Sequence, residues 1–236
     1  PTRRSSDLKN KIIFFLCTAF LGVPILGWAQ ICTPELEKGA TCECKVSELH
    51  PTQMAVGLKE VREKQEKIKN SNLERYQAKH LIPVVIGPRG VLYLIDHHHL
   101  ARAFFDSQIK TAQCTVMEND RGLSSLEEFW TRMSQQSWVY PYDENGEGPQ
   151  PFSKIPMSVG NLPNDPYRSL AGAVQDAGGF NKTSTPFAEF KWANFFRARV
   201  SFGAQGEWTE QILEEAKNLA FSPEARGLPG FLNLTD

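Results

Sequence analysis

Three consecutive histidines, His97, His98 and His99, stand directly after Asp96. Imidazole and carboxylate are ligands for a divalent transition ion, which could activate water for hydrolysis. Protonated imidazole could instead hold an anion. Consecutive residues point in different directions, so at most two of the three histidines could share one ion. Other groups, such as His50 or Glu48, would have to complete the shell. Two kinds of ligand therefore fit the quartet, a divalent metal ion and an anion. The plain alternative is that Asp96 is only the N-cap of a helix.

The elements around the quartet are legible. Ile82, Val84, Val85 and Ile86 form one apolar run, and Val91 to Ile95 form another. Gly87-Pro88-Arg89-Gly90 separates them, which predicts a hairpin. After the quartet, Leu100, Ala101, Ala103, Phe104 and Phe105 follow a helical pattern. The quartet thus sits where a buried strand ends and a helix begins. That geometry aims side chains and helix N-terminal amides at one point.

The strand-to-helix quartet resembles the signature of the ParB/sulfiredoxin superfamily. There, a strand ends in an Asp-Gly-His-His-Arg-like stretch; here it reads Asp96-His97-His98-His99-Leu100. Val46 to about Met133 is similar to the ParB-like nuclease branch, through His50 to Gly57, LYLIDHHHLARA, and Glu128 to Trp130. The resemblance implies an α+β fold, a small mixed sheet flanked by helices. It also implies a phosphate-binding corner with His97, His98, His99 and Asp96 as candidate catalytic residues. Gln53 and Lys64 would border its cleft, and Thr52 and Arg89 join them as ligand-binding candidates. The chain departs from the signature twice. The Gly is His97, and the Arg of the signature is absent, which removes a bidentate phosphate fork. No cysteine lies in the quartet, which argues against sulfiredoxin-type chemistry.

Toward the N-terminus, Pro1 to Leu8 resembles a translated sequencing adapter. Lys9 and Lys11 precede an apolar run, Ile12 to Leu26, and then Gly27-Trp28-Ala29. This pattern predicts a secretory signal peptide cleaved near Ala29, with a membrane anchor as the rival reading. The expected location is periplasmic or secreted, with no stable membrane insertion after cleavage. Free nucleotide is scarce outside the cytoplasm, which weighs against a nucleotide ligand. The chain has 26 basic and 27 acidic residues; the first 29 hold four basic residues and one acidic. Residues 30–236 therefore carry 22 basic and 26 acidic, net −4, the opposite of a dedicated DNA binder. Once Cys17 leaves, Cys32, Cys42, Cys44 and Cys114 remain. In an exported chain they predict two disulfides, Cys32 with Cys42 or Cys44 and the other with Cys114. A zinc site from Cys32, Cys42 and Cys44 is the alternative.

Val46 to Leu49 reads as a short strand. A helix capped by Thr52 is expected next, burying Leu58, Val61, Gln65 and Ile68, with a charged and mostly solvated opposite face. Ala112, Cys114 and Val116 alternate as a third strand. Ser124-x-x-Glu127 reads as a capping box for a helix turning Leu126, Phe129, Trp130 and Met133 inward. Tyr140 to Pro151 is a Gly/Pro-rich boundary. Helices are expected at Tyr167–Ala177, after Asp165-Pro166, at 186–200 and at 208–221. The domain reading is 1–29 removed or non-native, 30–140 the superfamily domain, and 150–236 a helical C-terminal region. Two functions compete. One is a nuclease or phosphoester- and nucleotide-directed enzyme. The other is a non-catalytic module for a small anionic ligand or a peptide.

Overall fold

The computed structural model describes residues 30–202 and 208–233, so the expected signal peptide and its cleavage point lie outside the described residues. Five strands form one mixed sheet in the order β1-β5-β3-β4-β2. They are β1 (Thr41–Lys45), β2 (Leu49–Pro51), β3 (Ile82–Ile86), β4 (Leu92–Leu94) and β5 (Thr111–Asn119). β3 is central. Ile82, Val84, Val85 and Ile86 are fully buried, as expected for a strand covered on both faces. β3 and β4 form the predicted antiparallel hairpin, with Val84 opposite Leu94. β5 lies parallel to β3 and buries its alternating Ala112, Cys114 and Val116.

Helices cover both faces. On one face α1 (Leu58–Lys69) and α3 (His98–Asp106) pack Val61, Ile68, Leu100 and Phe104 over Val84, Ile86 and Leu94. On the other, α4 (Leu126–Gln135) packs Phe129 and Met133 over Val85 and Tyr93. The segment 70–80, expected as a loop or short helix, contains α2 (Leu73–Lys79). This is the α+β arrangement, a small mixed sheet flanked by helices, that the resemblance implied.

A third core is wholly helical. It joins α5 (Pro166–Asp176), α6 (Ala188–Arg197) and α7 (Glu210–Ala220). α6 buries Phe190, Trp192, Phe195 and Phe196, more than one face, and Trp192 stacks on Phe180 at 4.3 Å. α5 begins where Asp165-Pro166 predicted. The Asp165 carboxylate accepts the N–H groups of Tyr167 and Arg168.

Three local readings differ. Val46–Glu48 is a 3-10 turn, and the strand is Leu49–Pro51, an edge strand that tolerates Pro51. α1 starts at Leu58 after Gly57, not at Thr52. The amides of Thr52 and Gly57 are taken by side chains of α3, and that tertiary pairing overrides the local helix signal. In α4 the cap is Ser125, one residue later than expected. Its hydroxyl accepts Glu128 N–H, Ser124 bonds the Glu128 carboxylate, and Leu126 stays exposed in the first turn.

The cysteines pair as Cys32–Cys42 and Cys44–Cys114, one of the two expected arrangements. The first ties the N-terminal segment to β1 and the second ties β1 to β5. The pairs are compatible with an oxidising, extracellular location. Among the described residues, no helix is long and apolar enough to cross a membrane.

Candidate functional site

His97 takes a left-handed conformation, φ 62°, at the junction of β4 and α3. That region suits glycine, so the residue that replaces the signature's Gly keeps the backbone shape of one. Asp96 is exposed, and its Oδ1 accepts the His97 N–H at 2.6 Å. The N-cap of α3 is therefore His97, which supplies no side-chain cap. The first-turn N–H groups of His98, His99 and Leu100 therefore receive no side-chain cap from it.

The next two histidines face inward. His98 is 1% exposed, and its Nε2 accepts the Thr52 N–H at 3.0 Å. His99 Nε2 accepts the Gly57 N–H at 3.0 Å. Both rings are thus neutral and protonated on Nδ1. Burial, with repulsion from His99 and His97, holds His98 well below the ordinary imidazole range. Burial pushes His99 down to about 3, against the upward pull of Glu60. His97, half-buried, is also lowered by burial, with Asp96 working against it.

A cleft of about 750 Å³ opens at this corner. The sheet side brings Gln53, Lys64, Lys67, His80, Asp96 and His97 to His99, and the helical unit brings Arg168 and 182–187. α6 also starts here from a left-handed N-cap residue, Phe187, again without a side-chain cap. α1 differs, because Asn164 Oδ1 takes its Leu58 N–H.

Glu60 lies at the centre of the charges. Its Oε2 receives Arg168 Nη1 at 3.1 Å, and Lys64 Nζ is 3.5 Å from Oε1. Burial pushes the Glu60 carboxyl up, but His99, Arg168 and Lys64 together pull it down to about 2. His99 Nε2 lies 3.4 Å from Oε2. That approach is no ion pair at neutral pH, because the ring is neutral and Nε2 already accepts from Gly57.

Of the sequence candidates, Gln53, Lys64, Asp96, His97, His98 and His99 come together at the cleft. Thr52 does not reach it. It is fully buried, its hydroxyl donates to Leu94 O at 2.9 Å, and its N–H anchors His98. Arg89 sits exposed on the hairpin turn, at the far end of β4 from Asp96. The proposed metal partners are also elsewhere. His50 packs edge-on to Tyr93 at 5.5 Å, and Glu48 pairs with Lys45 at 2.7 Å. Among the described residues, the group of three donors close enough for one ion is Cys32, Cys44 and Cys114, whose sulfurs are in disulfides. Sequence reasoning missed Glu60, His80, Arg168 and Lys182. Arg168 had a signal: a cation in the first turn of a helix opposes the macrodipole and asks for an external partner.

Residues 42–198 match the family model described as "Putative ParB-like nuclease". The chain belongs to that family. The match crosses from the sheet unit into α5 and α6, so the ParB-like nuclease region includes Arg168 and 182–187. Comparison with curated sequences returned no match. The chain is similar to the crystal structure of protein Atu1540 from Agrobacterium tumefaciens. That match has 37% identity and a TM-score of 0.75, covering 81% of this chain and 97% of that one.

Proposed function

We propose that the cleft binds a phosphate-bearing ligand, a nucleotide or phosphoester, at the N-terminus of α3. The observation that carries this reading is the uncapped first turn of α3 opening on a cleft with Lys64, Lys67, Arg168 and Lys182. Helix N-terminal amides backed by cations suit an anion. The same geometry weighs against a metal centre built on the quartet, since His98 and His99 have committed Nε2 to backbone amides. A nuclease or phosphoester hydrolase remains the activity that fits the family. In such an enzyme His98 and His99 position the corner, and Asp96 is the exposed member of the quartet. The second reading, a binding module without catalysis, is favoured by those same engaged imidazoles. Export is part of the proposal, supported by the two disulfides and the N-terminal sequence pattern.

The test is a titration of the purified chain with inorganic phosphate, pyrophosphate, nucleoside phosphates and a short single-stranded oligonucleotide. Each is followed by a hydrolysis assay. Mutually competitive binding of the phosphate compounds is expected. Binding without turnover selects the module, and no binding by any of them removes the reading.

A further inference from the structure

The arginine nearest the quartet in sequence is already engaged elsewhere. Arg102 is committed to Asp106 at 2.8 Å and to Leu162 O at 2.6 Å. A different guanidinium stands at the corner. Arg168 Nη1 and His99 Nε2 approach the same oxygen, Glu60 Oε2, at 3.1 and 3.4 Å. Arg168 is therefore beside the first turn of α3 although it belongs to α5.

We propose that Arg168 supplies the guanidinium that grips the ligand's anionic group, so that the helical unit completes the site. This rests on the phosphate reading of the cleft and adds the residue that would confer it. Arg168 is 8% exposed and lines the cleft, and its Nε is buried without a hydrogen-bond partner among the described residues. Guanidinium carries five donors in a planar fork, and a buried one left unused is rare. An anion at the first turn of α3 would meet that fork and the helix amides together.

The position is also held. The Asp165 carboxylate caps α5 and is bound by Arg197 at 2.8 Å. Asp165 N–H donates to Val56 O at 2.8 Å, and Val56 N–H donates to Pro163 O. These bonds fix the start of α5 to the same 52–57 segment that His98 and His99 hold. Phe190 backs the guanidinium at 5.4 Å. Glu60 is the anion that Arg168 and Lys64 now face. A phosphate group accepts on more oxygens and carries up to two charges, so it competes with Glu60 for the same donors.

A latch between α5 and α1 would explain the Glu60–Arg168 pair alone, so the test must read binding as well as folding. The full chain is titrated with inorganic pyrophosphate, with thermal unfolding as the folding control. Arg168→Lys keeps the charge but removes the fork and should weaken binding about tenfold or more. Lys45→Ala, an exposed change outside the cleft, should leave it within about twofold. Glu60→Gln removes the competing charge and should tighten binding. If Arg168→Lys does not fold, Glu60→Gln decides: tightening supports the assignment, and unchanged or weaker binding overturns it. Wild-type binding that Arg168→Lys leaves unchanged overturns the Arg168 assignment alone. No binding by the wild type sinks the phosphate reading with it.

Discussion

His98 Nε2 accepts the backbone N–H of Thr52 at 3.0 Å, and this bond joins the start of α3 to the end of β2. Thr52 completes the junction by donating its hydroxyl to Leu94 O. The imidazole is fully enclosed, so its first task is structural. His98→Ala leaves the Thr52 amide buried without an acceptor and opens a cavity. The unmet amide alone costs about 1–3 kcal/mol. With the cavity, a loss of about 2–5 kcal/mol is expected in urea unfolding. A loss under about 0.5 kcal/mol would show that the bond does not hold the junction.

The buried histidines also set how stability depends on pH. An unfolded imidazole takes up its proton near 6.5, whereas folded His98 and His99 resist it, His99 down to about 3. Below pH 6.5 the unfolded chain binds more protons, so stability falls as pH falls. Each such histidine contributes about 1.4 kcal/mol per pH unit over its window. Glu60, pulled to about 2 in the folded chain, adds a loss that begins below about 4.5 and runs down through pH 2. Urea midpoints at pH 7, 6 and 5 should drop, with a slope in stability of at least about two protons at pH 5, since His97 and His50 are lowered by burial as well. His99→Asn should remove about one of them. A flat profile from pH 7 to 5 is inconsistent with neutral, buried imidazoles.

The elements were legible where one periodicity dominated. The hairpin, β5, α5 and α6 follow from alternating or helical apolar positions and from Asp165-Pro166. The segment from Val46 to Gly57 was not legible, because its conformation depends on residues more than 40 positions away. Thr52 reads as a cap until His98 is known to take its N–H. The site was half legible for the same reason. Asp96 to His99 are contiguous, but Arg168 reaches them only through the packing of α5 on α1, and Glu60 reads as one of many solvated charges.

The disulfides bear on the compartment. If the protein is exported, thiol titration of the denatured, unreduced chain should find no free thiol among Cys32, Cys42, Cys44 and Cys114. Cys44→Ser with Cys114→Ser opens the long loop between β1 and β5 and should cost about 2–5 kcal/mol. Four titratable thiols on such material would remove both the bridges and the case for an oxidising location.

With His80, the exposed imidazole of the cleft, changed to Asn, affinity for an anion should be nearly independent of pH where imidazole ordinarily titrates. The quartet alone had suggested anion binding that strengthens as pH falls through 6.5, driven by imidazolium. In the folded chain His97, His98 and His99 are all lowered, and the last two spend Nε2 on backbone amides. The permanent cations at the cleft are Lys64, Lys67, Arg168 and Lys182. Sulfate is the useful probe, because it does not titrate, whereas a phosphate monoester changes charge near pH 6. Sulfate affinity should stay within about twofold from pH 8 to pH 6, and Lys64→Ala should weaken it at every pH by about three- to tenfold. Zinc or manganese binding at the corner, weakening as the pH falls, would instead show that the imidazoles leave their amides to ligate an ion. Sulfate binding that tightens by one proton's worth over the same interval would return the anion to the histidines.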